Sequence, residues 1–253
     1  MITTHDFRIL VIVTAGLMLL STVGHSSEMD DRIEASAKKS YVYKTYLKDD
    51  NIKTEAENGI VTLTGTVSEE NHKSLAQETV SSLPGVEKVD NQIQVQGMQP
   101  EKDTDGWIGL KVKTTLLFHR NVSAAKTQVD VKDGVVTLSG EADNQAQKDL
   151  TTEYVKDVEG VRDVKNELKI TNNMTESPRE TLGEKIDDAS ITAQVKAALL
   201  YHRSTSGIGT KVRTDDGIVT LNGRVHNAAE KDLVTKIVRD INGVKNVVNN
   251  LEI

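Results

Sequence analysis

The chain has 253 residues, with 31 Lys or Arg against 38 Asp or Glu, a net charge of −7 and no cysteine. Apolar residues make up 37% and charged residues 27%, which suits folded modules with modest cores and excludes a disordered chain. The acidic balance excludes broad attraction to nucleic acid or anionic lipid, which needs a basic surface. The missing cysteines exclude disulfides, zinc thiolate sites and thiol catalysis.

The first expected element is a secretory signal over residues 1–26. Arg8 and the amino terminus are positive, Ile9 to Leu20 is apolar, and Ser21 to Ser27 is small and polar. The apolar run is too short to span a bilayer comfortably, so a cleaved signal and a periplasmic protein are expected, with an uncleaved anchor as the alternative. Gly24 and Ser26 place cleavage after Ser26. Without a cysteine there is no acceptor for a lipoprotein anchor.

From there the chain repeats. Gly59-Ile60-Val61-Thr62-Leu63-Thr64-Gly65 returns as Gly134-Val135-Val136-Thr137-Leu138-Ser139-Gly140 and as Gly217-Ile218-Val219-Thr220-Leu221-Asn222-Gly223. The offsets of 75 and 83 residues also relate Ile33, Ile108 and Ile191; Gly85, Gly160 and Gly243; and Asn91, Asn166 and Asn249. Three 63-residue segments therefore align without a gap. They predict modules at 29–96, 105–170 and 185–253, joined by polar, Pro-containing linkers at 97–104 and 171–184.

Within each module the elements follow in one order. An amphipathic helix comes first: Ile33, Ala37, Tyr41 in module 1; Ile108, Val112, Leu116 in module 2; Ile191, Val195, Leu199 in module 3. A short strand leads to Asn58-Gly59, Asp133-Gly134 or Asp216-Gly217, the signature of a type I′ hairpin, whose central residues both need φ > 0. The Val-Thr-Leu strand follows, and Gly65, Gly140 and Gly223 mark close packing or a bend near its end. A second helix is expected from Asn144 to Val158, with Ala146, Leu150 and Tyr154 on its apolar face and Gly160 as its αL cap, Gly85 and Gly243 being equivalent. A last alternating strand, Val161 to Ile170, closes the module. The expected fold class is α+β: three tandem αββαβ modules, each two helices on a three-stranded mixed sheet. At about 65 residues each module is expected to fold alone.

Helix, then Asp133-Gly134-Val135-Val136-Thr137-Leu138-Ser139-Gly140, helix, then Val158-Glu159-Gly160-Val161-Arg162-Asp163-Val164-Lys165-Asn166-Glu167-Leu168 resembles the BON domain. All three segments match, and the first departs most, with Ala56-Glu57-Asn58 before its glycine and Tyr41 in place of a leucine. The family occurs in osmotically inducible periplasmic proteins with two such modules and in outer-membrane-associated lipoproteins. The resemblance implies binding of phospholipid surfaces or envelope proteins, a role in envelope maintenance or osmotic stress, and no catalysis. A chaperone-like adaptor for exported or outer-membrane proteins is the alternative.

Residue chemistry points the same way. None of the repeated glycines opens a helix with a following Lys and Ser or Thr, so no phosphate cradle is expected. Asn91, Asn166 and Asn249 lie on an apolar face and are expected to hydrogen-bond to a neighbouring loop or helix end, with a repeated ligand contact as the alternative. His119-Arg120 and His202-Arg203 fall at the end of the first helix, where a cation complements the helix dipole. No histidine has metal-ligand spacing, and no nucleophile-base set is shared by the modules, so no metal, cofactor or catalytic residue is expected. Tyr43, Phe118 and Tyr201 are equivalent and are expected in the core or between modules. Trp107, the one tryptophan, stands one turn before Lys111. The pair either meets a lipid headgroup layer or leaves Trp107 packed against the linker.

Overall fold

The computed structural model describes residues 23–97, 100–171, 185–205 and 209–253. Most of the expected signal segment and of the second linker lie outside the described residues. Module 1 comprises α1 (Val23–Lys39), α2 (Tyr41–Thr45), β1 (Asn51–Glu57), β2 (Ile60–Val67), α3 (Glu70–Ser81), β3 (Lys88–Asn91) and β4 (Gln94–Val95). Module 2 comprises α4 (Asp105–Phe118), β5 (Thr127–Lys132), β6 (Val135–Ala142), α5 (Gln145–Lys156), β7 (Asp163–Asn166) and β8 (Lys169–Ile170). Module 3 comprises α6 (Asp188–Tyr201), β9 (Lys211–Asp215), β10 (Ile218–Arg224), α7 (Ala228–Arg239) and β11 (Asn246–Glu252). The class is α+β, and each sheet is mixed: the central strand pairs antiparallel with the strand before it and parallel with the last strand.

The hairpins are two-residue turns. Lys132 pairs with Val135, and Asp133 and Gly134 have φ of 53° and 76°, the left-handed pair of a type I′ turn. Their two N–H groups would face solvent unpaired, but Asp105 accepts both, at 2.7 and 2.8 Å. Asp30 and Asp188 repeat this clamp on Asn58-Gly59 and Asp216-Gly217. The same offsets relate these three aspartates, so the repeat contained that signal too.

The asparagines at equivalent positions tie the last strand to the second helix. Asn166 donates to the Lys148 carbonyl and to Thr152 Oγ1, both on α5, while its Oδ1 accepts the Leu168 N–H. Asn91 and Asn249 do the same toward α3 and α7. One amide thus ties strand to helix with its donors and its acceptor used, as a half-buried amide requires. In modules 1 and 2 the strand breaks there into two short pieces, whereas β11 runs through.

Three sequence expectations change. First, α5 ends at Lys156 with Asp157 as its cap. Gly160 lies one step further, in a turn closed by Val161 N–H to the Val158 carbonyl. Its φ of 95° is that of the third residue of a type II turn, and Pro84-Gly85 in module 1 has that turn's preferred pair. Second, the core face of α5 is Gln147, Thr151 and Val155, while Leu150 is 36% exposed. Leu150 faces module 3 across a cleft, and Tyr154 packs against its own module's core while its hydroxyl donates to Asp240 of module 3. Third, the cores are not separate. One continuous cluster joins module 1, module 3 and Phe118 of module 2, and module 2 keeps a second cluster of its own.

The helices α4 and α6 explain that fusion. Besides Ile108, Val112 and Leu116, α4 buries Leu110, Thr114, Thr115 and Phe118. Besides Ile191, Val195 and Leu199, α6 buries Ala189, Ala193, Gln194, Ala198 and Tyr201. A helix buried on more than one side is central to its assembly. Module 1 docks on α6 through the start of α2, whose free N–H groups at Tyr41 and Val42 are accepted by Asp187 and Ser190 at 2.7 and 3.0 Å. Module 2 has Thr104 and Trp107 at those two positions, so it cannot offer the same cap.

Candidate functional site

Trp107 lies half-buried in the first turn of α4, where Thr104 caps the helix through the Trp107 N–H. Lys111 does not join it at a surface. It is 3% exposed, and its ammonium sits 3.3 Å from Glu159 Oε2 in the same module. A buried ammonium already paired with an exposed carboxylate is not presented to a headgroup. The expected Trp107–Lys111 patch therefore reduces to Trp107.

The histidine-arginine pairs serve an interface that sequence reading did not anticipate. His119 forms an antiparallel bridge with Ile241 of module 3, and His202 forms one with Val158 of module 2. Offset by 83 residues, these are the same contact made twice in opposite directions, so modules 2 and 3 meet about an internal pseudo-two-fold axis. Arg120 donates its guanidinium to the Ile241 and Val244 carbonyls, and Arg203 donates to those of Lys156, Val158 and Val161. The cations thus bind the turn after the neighbouring module's second helix and not the end of their own helix. Module 1 has Lys44-Thr45 at these positions and no such exchange.

Both histidines are held neutral. Burial depresses the His119 imidazole below its ordinary value, and the Thr115 carbonyl and Asp240 only partly oppose this. Burial also depresses His202 against the opposing pull of Asp157. Glu153, Lys236, Tyr154, Asp157 and Asp240 line the same cleft, with Arg120 and Arg203 flanking it. In the unfolded chain these imidazoles take protons near pH ~6.5, whereas in the folded protein they resist until lower pH. Stability is therefore complete above that value and is lost as pH falls below it. The melting temperature is expected to drop between about pH 7 and about pH 5, and His119→Phe should flatten that dependence. A melt equally high at both pH values would contradict the buried neutral pair.

One further cluster invites a catalytic reading and does not support it. Asp50 Oδ2 lies 2.6 Å from His72 Nδ1, and Ser68 Oγ lies 3.4 Å from the same nitrogen. A nucleophile-base-acid relay needs serine and carboxylate on opposite ring nitrogens. Among the described residues no three His, Asp or Glu side chains converge as metal ligands, and no helix is long and apolar enough to cross a membrane.

Comparison with known proteins gives the BON domain three times, at residues 29–97, 104–172 and 187–253. Osmotically-inducible protein Y of Escherichia coli is 32% identical over 189 residues, 75% of this chain and 88% of that protein. Outer membrane lipoprotein DolP of Haemophilus influenzae is 33% identical over 116 residues, 46% of this chain and 56% of that protein. CdsD, a structural protein of the type III secretion system of Chlamydia trachomatis, aligns over 93% of this chain at 16% identity with a TM-score of 0.22, too low to bear on the fold. With three matched modules covering most of its length, each a mixed sheet packed with its helices, the chain belongs to the BON domain family.

Proposed function

We propose that this chain is a non-catalytic binding protein of the bacterial periplasm that docks on phospholipid surfaces in envelope maintenance under osmotic or envelope stress. Its relatives include an osmotically inducible protein and an outer membrane lipoprotein, and the shared polar side chains of its modules are engaged in structure. Trp107 carries the reading. It is the chain's one tryptophan, it is half-exposed at a helix start, and an indole suits the boundary between headgroups and acyl chains.

The test is flotation with liposomes of zwitterionic and of anionic phospholipid. Trp107 emission should shift to the blue on binding, and Trp107→Ala should weaken binding at least about tenfold, the scale of burying one large aromatic side chain. Lys111→Gln should lower the melting temperature and leave flotation unchanged. Flotation unaffected by Trp107→Ala would refute the site.

A second reading, an adaptor for exported or outer-membrane proteins, is favoured by Leu117 and Leu200. They are 38% and 53% exposed and line one cleft where the three modules meet. If no liposome composition binds, this reading takes precedence.

A further inference from the structure

The pseudo-two-fold axis between modules 2 and 3 passes a cavity of about 170 Å³. Its walls come in equivalent pairs: Thr115 with Ala198, Leu150 with Leu233, Tyr154 with Ile237, His119 with His202 and Asp157 with Asp240. Leu150 is exposed and lies outside its module's core, while Leu233 packs on the edge of the module 3 core, and both line the space between the modules. The volume is close to that of an engineered apolar cavity, about 150 Å³, that accepts benzene. The space is thus sized for a molecule of roughly six to eight heavy atoms.

The two imidazoles break the symmetry, and the hydrogen-bond network assigns how. The Ser204 N–H donates to His202 Nδ1 at 3.1 Å, so that nitrogen carries a lone pair and the proton resides on Nε2. His202 Nε2 is buried without a hydrogen-bond partner. Its side chain is only 10% exposed, and the nearest carboxylate oxygen, on Asp157, is 3.6 Å away. His119 has the opposite tautomer. Its Nδ1 lies 2.7 Å from the Thr115 carbonyl, which can only accept, so its Nε2 is left as an acceptor. Burial keeps both rings neutral. Both imidazoles line the cavity together with Leu150, Leu233 and Ile237 and the charged Glu153, Asp157, Lys236 and Asp240, and the Tyr154 ring is tilted against His119 with centroids 4.0 Å apart.

A hydroxyl group both accepts and donates. We propose that this cavity is a binding site for a small apolar molecule bearing one hydroxyl, an alcohol or a phenol, which accepts from His202 Nε2 and donates to His119 Nε2. Asp157 and Asp240 at the wall disfavour an anion, and Tyr154 already donates to Asp240 at 3.1 Å. Because the site spans two modules, occupancy also ties module 2 to module 3. The site is independent of the lipid contact at Trp107.

Phenol is the probe and toluene the control, each titrated into the full chain while the histidine ring signals are followed by proton–carbon NMR. Phenol should perturb both rings saturably, with an affinity on the order of 1 mM for so small a ligand. Toluene should bind more weakly. His202→Phe should weaken phenol binding about tenfold, the effect of one lost hydrogen bond, and leave toluene within about twofold. His202→Gln, which keeps a donor, should restore much of the phenol affinity and guards against a folding defect. Leu233→Trp should fill the cavity and abolish binding of both probes. Absence of saturable change with phenol would overturn the proposal, as would equal loss of phenol and toluene in His202→Phe.

Discussion

Gly140→Ala is expected to unfold module 2. Gly140 has φ +113°, and a Cβ there would lie 2.1 Å from the Lys126 carbonyl oxygen. That oxygen is backbone, placed by the start of the hairpin, and it cannot turn aside as a side chain can. A separation about 1 Å inside contact, added to a φ that costs roughly 1–3 kcal/mol for any other residue, puts the loss above about 4 kcal/mol. The hairpin glycine gives a useful contrast. A Cβ on Gly134 would meet the Arg162 side chain at 2.8 Å, and that chain can swing into solvent. Gly134→Ala should therefore cost only the backbone strain, about 1–3 kcal/mol. Trp107 makes the measurement simple, because the only tryptophan reports on module 2 while far-ultraviolet circular dichroism reports on all three. In Gly140→Ala the tryptophan signal should be unfolded at room temperature with most of the dichroism retained. A native tryptophan spectrum would show that the strand can shift to admit the methyl group.

Removing both exchanged arginines is expected to release module 2 from module 3. Each guanidinium reaches carbonyls in the turn that follows the neighbouring module's second helix, and a hydrogen bond to a charged group contributes about 1.5–3 kcal/mol. Partial exposure lowers this, so each Arg→Ala change should cost about 1–2 kcal/mol. Arg120 and Arg203 act on one interface, so the double variant should show coupling beyond the sum of the singles. In solution scattering the radius of gyration should rise, and the tryptophan and dichroism melts should separate. Lysine at either position should rescue only in part, because its shorter, more strongly hydrated ammonium must be desolvated to reach the carbonyls that one guanidinium nitrogen meets. An unchanged radius of gyration in the double variant would mean that the paired backbone bridges suffice.

Much of this fold was legible one residue at a time. A type I′ turn needs two adjacent residues at positive φ, and Asn-Gly or Asp-Gly supplies them locally, so three hairpins could be placed from dipeptides. The repeat then carried each assignment to the other modules. It also related Asp30, Asp105 and Asp188, but nothing in their local sequence distinguishes a clamp from an ordinary acidic residue at a helix start. Where reading failed, the deciding contact lay far along the chain. Leu150 keeps helical spacing with Tyr154, which packs on its own module's core, but spacing does not say that Leu150 faces another module instead.

The sequence by itself determined the three modules, their element order, their turns and their family, because each follows from propensity, spacing and backbone sterics within about 65 residues. Only the tertiary structure decided what the repeated positions do. Equivalent residues meet different surroundings once the modules pack: Ser190 caps module 1 where Trp107 faces partly outward, Lys111 is buried and pairs with Glu159, and His119 and His202 acquire opposite tautomers at one cavity. Burial, protonation and partner choice depend on what surrounds a side chain in space. For these residues much of that surrounding comes from chain more than 40 positions away, as in the His119–Ile241 and Val158–His202 pairs.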